Sequence, residues 1–469
     1  MVVGEMPQAV DLVVIGAGPG GYTAALAAAK AGRRVHLVES AGAAGIGGVC
    51  LLEGCIPSKA LIELGEAVHS AGRREAMGLP GTTARPDLAL FQSWKRDVIT
   101  TLGDGVRARL RAADVTMVAG RAAFTGPRSM RIEHDDGPSE TWEFRSAVIA
   151  AGSAPATIPR LGGDPRVTDA AGVLALDHLP ERIVVIGAGY VGIELGTALA
   201  KLGATVTIVE ARDSILEMVG DRAAGEVARG LRRLGVTVMT ATVVQGIDEA
   251  GIEVVTAGAT ERLEADLVLV ATGRVPNSAE LGLAAARIAT TESGHIVVDS
   301  ALIAAPGIAA IGDIVAGPGL AHRAMAQAGV AVSALSGEKV AWDSLVPSVV
   351  FSDPEVATVG LGLVDAIELG YDAAESVLPY AYSGKAHILQ ATDGHHAVVF
   401  ERATGLLLGA TVTGANATEL ISEFTVAIEG GLLLEDVVRS VHPHPTLSEL
   451  ALHDTPSHPI VQTEEIPAR

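Results

Sequence analysis

Cysteine is almost missing from this chain: two thiols, Cys50 and Cys55, in 469 residues. A zinc site built on cysteine needs three or four ligands, and no third Cys exists. Positive charge is also short, with 34 Lys and Arg against 55 Asp and Glu and a net charge of −21. Non-specific nucleic-acid binding, which relies on cationic patches, is therefore not expected. No apolar run is long and uninterrupted enough to suggest a membrane span. The stretch Met1 to Val10 lacks a basic segment followed by an apolar core, so no secretory signal is expected. A cytoplasmic location fits, and in that reducing compartment a disulfide is more often catalytic than structural. Aromatics are scarce at 3%, whereas glycine is abundant at 55 residues. That mix favours tight turns and close backbone approach. With 49% hydrophobic and 19% charged residues the chain reads as globular, and its length suggests about three domains.

The two thiols lie in one stretch, Gly47-Gly48-Val49-Cys50-Leu51-Leu52-Glu53-Gly54-Cys55-Ile56-Pro57-Ser58-Lys59. They could be small buried core residues. As a structural staple they would add little, because closing so short a loop contributes roughly 2 kcal/mol. A working redox pair is the preferred reading. Five residues of regular helix rise by about 7.5 Å, beyond the separation of about 6.8 Å that disulfide Cα atoms usually allow. The segment between the thiols is thus not plain helix if they join. Gly54 suits the irregular turn, and Pro57 suits the first turn of a following helix.

Residues 9–40 read as strand, Gly-rich turn, helix and strand. The turn Gly16-Ala17-Gly18-Pro19-Gly20-Gly21 follows the apolar run Asp11 to Ile15, and the second strand ends at Glu39. This is the dinucleotide fingerprint in its proper setting. Gly16 permits the tight turn, Gly18 lets backbone approach a pyrophosphate, and Gly21 allows helix to pack on strand. Glu39 stands where an acid binds a ribose 2′-hydroxyl. The unit recurs: Gly187, Gly189, Gly192 and Glu210 repeat it, with Gly16–Gly187, Gly21–Gly192 and Glu39–Glu210 at one constant offset. Two modules imply two dinucleotides, or one duplicated fold with one site lost; all fingerprint positions are present in both, which favours two occupied sites. A carboxylate at Glu210 favours a free 2′-hydroxyl, hence NAD over NADP; the nearby Arg212 is read as a surface residue.

Between the modules, helices are expected over 61–70 and 88–110, then short strands over 116–149. After the second module a helix is expected over 223–234, strands over 236–257, and a buried strand over 266–270 ending at Ala271-Thr272-Gly273. Another apolar strand, 307–313, closes on the lone acid Asp313, and Ala321 to Leu335 reads as helix. Composition shifts at Val346-Pro347-Ser348. The remainder mixes strands (397–400, 406–412) with helices (417–430, 434–437) before the segment His442-Pro443-His444-Pro445-Thr446-Leu447-Ser448-Glu449. A thiol pair needs a base, because the thiolate is the reactive form. A carboxylate such as Glu449 holding one nitrogen of His444 would leave the other to take a proton. On residues alone a His-Pro turn with a solvated acid fits equally well. A metal reading is weaker, since His442 and His444 have no marked third ligand.

Taken together, the redox stretch, Ala271-Thr272-Gly273-Arg274-Val275-Pro276-Asn277, Ile311-Gly312-Asp313 with Leu320-Ala321-His322, the Pro347 to Ala357 segment and the His444/Glu449 motif resemble the pyridine nucleotide-disulfide oxidoreductases. The match runs from about Val10 to Leu452 with motifs in the family's order. The resemblance implies an α/β fold: two Rossmann-like dinucleotide-binding domains, for FAD and NAD, plus a C-terminal α+β dimerisation domain. The implied boundaries are 1–155 for the first part of the FAD domain, 156–275 for the NAD domain, 276–345 for the central part and 346–469 for the interface. It implies that Gly16, Gly18, Gly21 and Glu39 hold the ADP half of FAD with Ser153 nearby. Asp313 would bind the ribityl chain, with backbone contact from Ala321. Cys50 becomes the substrate-facing thiol and Cys55 the flavin-facing one. Lys59 sits near the flavin and pairs with Glu194, which without the resemblance reads as a helix N-terminal charge favoured by the dipole. Gly187, Gly189, Gly192, Glu210 and Gly273 take NAD. His444 and Glu449 act across a homodimer on the partner subunit's disulfide.

Within the family the lipoamide-oxidising branch is favoured, with lipoyl domains of 2-oxo acid dehydrogenase or glycine-cleavage complexes as partners. Three alternatives stay open: an NADPH-dependent reductase of a low-molecular-weight disulfide, a catalytically silent docking subunit, and a diaphorase or transhydrogenase activity that bypasses the thiols. The chain departs from the family's pattern at Leu52-Glu53 between the thiols, at Pro443, and at Tyr190, which resembles the glutathione-reductase branch.

Overall fold

The computed structural model describes residues 7–79, 85–135 and 137–451. The Gly/Pro-broken stretch expected near residues 78–86, the turn at 135–138 and the tail beyond Leu452 fall wholly or partly outside those residues. The fold is α/β, and the chain forms two compact units.

The first unit comprises Met1–Ile215 and Leu231–Asp343. Its larger sheet has the parallel strands Ile308–Ala310, Glu140–Ile149, Gln8–Ile15, Val35–Glu39 and Thr116–Ala119, in that order. Leu12 to Val14 are wholly buried, as expected of a parallel strand covered on both faces. Ile15 registers with Val38 on one side and Ile149 on the other, so three strand ends meet at the Gly16 turn. Pro19–Lys30 and Ala321–Leu335 pack on one face through alanines: Ala24, Ala25, Ala28, Ala328 and Ala331 are buried together. Large side chains would hold these helices apart; here a Cβ on Gly20 would already lie 3.2 Å from that of Ala324. The opposite face is filled by Phe124, Trp142 and Phe144.

The second module repeats the logic. Thr237–Met239, Thr205–Val209, Arg182–Ile186, Leu267–Val270 and Val167–Thr168 form a parallel sheet, with Ile186 in register with Val209 and Val270. An antiparallel three-stranded meander, Thr242–Asp248, Gly251–Thr256 and Ala259–Leu263, covers it. A two-stranded ribbon, Ser153–Pro155 with Arg274–Pro276, belongs to the same unit.

The second unit comprises Leu216–Gly230 and residues 344 onward. Its antiparallel sheet runs Ser348–Val350, Val356–Gly360, Leu407–Thr413, His395–Glu401, Ala373–Pro379. Helix Ala417–Glu429 closes the core with Ile421 and Phe424, beside Tyr380, which is wholly buried. Glu226 accepts from His395 Nδ1 at 2.8 Å, and both side chains are largely buried.

One local expectation is corrected. Asp313 does not end a strand: the strand stops at Ala310, and Gly312–Ile314 forms a 3-10 turn begun by Gly312 at φ +76°. Gly312 N–H donates to the fully buried Gln327 at 2.8 Å, and this bond bends the chain out of the sheet.

Candidate active site

The redox stretch folds as two helices. Gly47 takes φ +103° and caps the short helix Gly48–Leu52, which carries Cys50. Glu53 and Gly54 break it, Gly54 at φ −130° and ψ −108°, and Cys55 opens the helix Cys55–Arg73. The helix is thus interrupted between the thiols, as expected for a pair that can join. Both cysteines are half-buried and unbridged, the dithiol form of the pair. The stretch lies on the first nucleotide turn: Gly47 N–H donates to Ala17 at 2.9 Å, and a Cβ on Gly48 would lie 2.6 Å from the Gly18 Cα.

The two thiols differ. The hydrogen bond between them pulls the Cys55 thiol down to about 7, with the Lys59 ammonium helping against the opposing effect of burial. The same bond pushes Cys50 strongly up, reinforced by burial and by the charge on Cys55. One proton serves two sulfurs, and it resides on Cys50. Lys59 is held by Glu194 at 2.7 Å, and the Glu194 carboxylate is only 5% exposed. A second ion pair, Lys201 to Glu66 at 2.6 Å, joins the same two helices, Cys55–Arg73 and Tyr190–Leu202. Its charges are reversed and it lies two turns along. Gly65 permits the close approach, since a Cβ there would lie 3.0 Å from the Ala198 carbonyl. Nothing in the sequence marked this second rung.

The glycines of each module separate into two kinds. A Cβ on Gly21 would sit 1.8 Å from the Gly16 carbonyl oxygen, and one on Gly192 would sit 2.0 Å from that of Gly187. These positions are closed by the fold. Gly189 and Gly273 face open space, and Gly18 has only the Gly48 Cα at 4.0 Å. Of these, Gly18 and Gly189 are the fingerprint positions at which a pyrophosphate needs room. Glu39 Oε2 accepts from Ala17 N–H at 2.8 Å and Glu210 Oε2 from Ala188 N–H at 2.7 Å. Each carboxylate is thus fixed over its glycine turn while retaining lone pairs for ribose hydroxyls. The geometry fits a dinucleotide at both turns.

Ser153 Oγ donates to Asp313 Oδ2 at 2.7 Å. Ala321 is the first residue of its helix, where a backbone N–H has no intrahelical partner. Tyr190 starts the helix that bears Glu194, and burial, followed by the charge of Asp313, pushes its phenol up.

In the second unit, His444 Nδ1 donates to Glu449 Oε1 at 2.8 Å, while Thr446 N–H donates to Oε2 at 2.8 Å. Those two bonds, the backbone one foremost, hold the Glu449 carboxyl below its ordinary range. The imidazole is 80% exposed, so Nε2 faces outward. His442 is turned inward instead: Nε2 meets Glu423 at 2.8 Å and Nδ1 meets the Ser440 carbonyl at 2.9 Å. The two histidines are therefore divided between anchoring and presentation.

The family model described as pyridine nucleotide-disulphide oxidoreductase matches residues 10–328, and that family's dimerisation domain matches residues 346–454. Among curated relatives, a dihydrolipoyl dehydrogenase of Bacillus subtilis is 40% identical over 96% of this chain and 97% of its own. Another, of Geobacillus stearothermophilus, is 40% identical with the same coverage. The crystal structure of LpdA from Mycobacterium tuberculosis superposes with a TM-score of 0.86, at 27% identity over 94% of this chain and 98% of that one. Two dinucleotide turns, a thiol pair of unequal acidity and a carboxylate-held imidazole thus occur in a chain that belongs to the pyridine nucleotide-disulphide oxidoreductase family.

Proposed function

We propose that the chain is a dihydrolipoyl dehydrogenase, oxidising dihydrolipoamide to lipoamide with NAD+ as final acceptor. The observation that carries this reading is the asymmetric thiol pair. Cys55 is the group that leaves as thiolate when the Cys50–Cys55 disulfide is opened, and Cys50 is the sulfur left for attack. Full-length identity near 40% to curated dihydrolipoyl dehydrogenases supports the substrate. His444 Nε2 takes the proton of one substrate thiol as that sulfur attacks Cys50 and breaks its bond to Cys55, which leaves as thiolate. The second substrate thiol then attacks the mixed disulfide, lipoamide departs, and Cys50 leaves with that thiol's proton. Glu449 holds that imidazole in the accepting tautomer and stabilises it once charged. Lys59, neutralised in part by Glu194, keeps Cys55 ionised on the flavin side. Gly16, Gly18, Gly21, Glu39, Ser153, Asp313 and Ala321 would hold FAD, which when bound would supply a two-electron centre between the thiol pair and NAD+, and Gly187, Gly189, Gly192, Glu210 and Gly273 would hold the NAD+.

In this reading the domains divide at 155, 275 and 345, and the working unit is a homodimer. Each His444–Glu449 pair serves the partner subunit's disulfide. The dimerisation-domain match over residues 346–454 supports that assembly. Lipoyl domains of 2-oxo acid dehydrogenase or glycine-cleavage complexes are the partners, in a reducing cytoplasm. A steady-state assay decides: turnover with dihydrolipoamide and NAD+ is expected, and activity confined to NADPH with a low-molecular-weight disulfide would overturn the assignment.

A further inference from the structure

The Asp313 carboxylate is held through Ser153 by Arg274, a residue that the reaction above leaves unused. Arg274 Nε donates to Ser153 Oγ at 2.7 Å, and Arg274 Nη2 donates to the Ser153 carbonyl at 2.6 Å. Ser153 Oγ in turn donates to Asp313 Oδ2 at 2.7 Å. The direction of this relay is forced. A guanidinium only donates, so it occupies a lone pair of the hydroxyl and leaves the single hydroxyl proton for the carboxylate. Ser153 is buried, 7% exposed, and its strand is paired to that of Arg274, with Ser153 opposite Pro276. Asn277 fastens the same ribbon, its N–H to Gly152 at 3.0 Å and its side chain to Ala151 at 2.9 Å. Arg274 is also 3.9 Å from Asp313 Oδ2, near enough to offset its charge.

We propose that Arg274 is a positioning residue for the flavin. Acting through Ser153, it fixes the Asp313 carboxylate by occupying Oδ2, which leaves Oδ1 available to the ligand. This rests on the assignment of FAD to the first site. Arg274 directly follows Gly273, so adjacent residues of the chain would serve the two nucleotides. A lysine cannot reproduce the role, because one ammonium does not span the Ser153 hydroxyl and carbonyl in a planar fork.

The test is flavin release from the FAD-loaded full-length protein, followed by the rise of free-FAD fluorescence after dilution. Arg274→Ala and Ser153→Ala are each expected to speed release about tenfold or more, as loss of a charge-assisted bond predicts. Arg274→Lys should recover less than half of that loss on a logarithmic scale. The double variant should release flavin no faster than the worse single one, because both act through one hydroxyl. Ser153→Ala removes one oxygen only and keeps the test open if Arg274→Ala fails to fold. Native release rates in both single variants, or multiplicative effects in the double, would overturn the proposal. A native protein that binds no flavin removes the FAD assignment and this proposal together; a yellow native protein with unaffected variants removes this proposal alone.

Discussion

At the scale of single residues, the two sulfurs share a sequence context but not a chemistry. Cys55 begins a helix beside Lys59, and Cys50 supplies the hydrogen bond that stabilises its thiolate. The fraction of Cys55 thiolate therefore rises with pH through about 7. Ultraviolet absorbance of the reduced protein should report one thiolate per chain with a midpoint near that value, and Cys55→Ser should remove it. Cys50→Ala takes away the hydrogen bond and Lys59→Met the positive charge, so each should move the midpoint upward. An unchanged midpoint in both would remove the assigned cause. The thiol spacing and the His444–Glu449 separation were legible in the residues. The inequality of the thiols was not, because it arises from burial and from a lysine whose partner lies 135 positions away.

At the scale of elements, helices and their turns were legible where one local signal sufficed. The helix at Ala321–Leu335 follows from its small-residue run; the helix expected over 88–110 runs Leu88–Ala112, its first turn held by Asp87, which accepts from Leu90 N–H. Asp313 was misplaced because the bond that bends its chain comes from Gln327 on another element. The paired helices Cys55–Arg73 and Tyr190–Leu202 show the same limit. Their two ion pairs, Lys59–Glu194 and Glu66–Lys201, act as rungs of opposite polarity. Glu66→Gln removes the carboxylate that faces Lys201, whose side chain is only 7% exposed, and should cost about 3 kcal/mol. Glu194→Gln removes a buried charge and leaves Lys59, 34% exposed and able to hydrate, so it should cost under about 1 kcal/mol. Urea midpoints of the two single variants and their double would check the order. Equal losses at both rungs would contradict it.

At the scale of the molecule, the doubled module was the plainest feature of the sequence, because Gly, apolar strand and terminal acid recur together. Which glycines are packed and which are open emerges only in three dimensions. Gly192→Ala would drive a Cβ into the Gly187 carbonyl and should destabilise the fold by about 3 kcal/mol or more. Gly189→Ala meets nothing within 4 Å, so its melting temperature should stay native while the KM for NAD+ rises about tenfold through lost pyrophosphate room. A stable Gly192→Ala, or a Gly189→Ala with native KM, would reverse the two roles.

Glu39 and Glu210 grip their turns with the same atom and the same 22-residue reach. The polypeptide thereby contains its own control experiment. Glu39→Gln and Glu210→Gln make one chemical change in two copies of one scaffold; under the proposed function the first would hold a nucleotide that stays and the second one that leaves. Whatever differs between their effects measures residence, with the scaffold cancelled out.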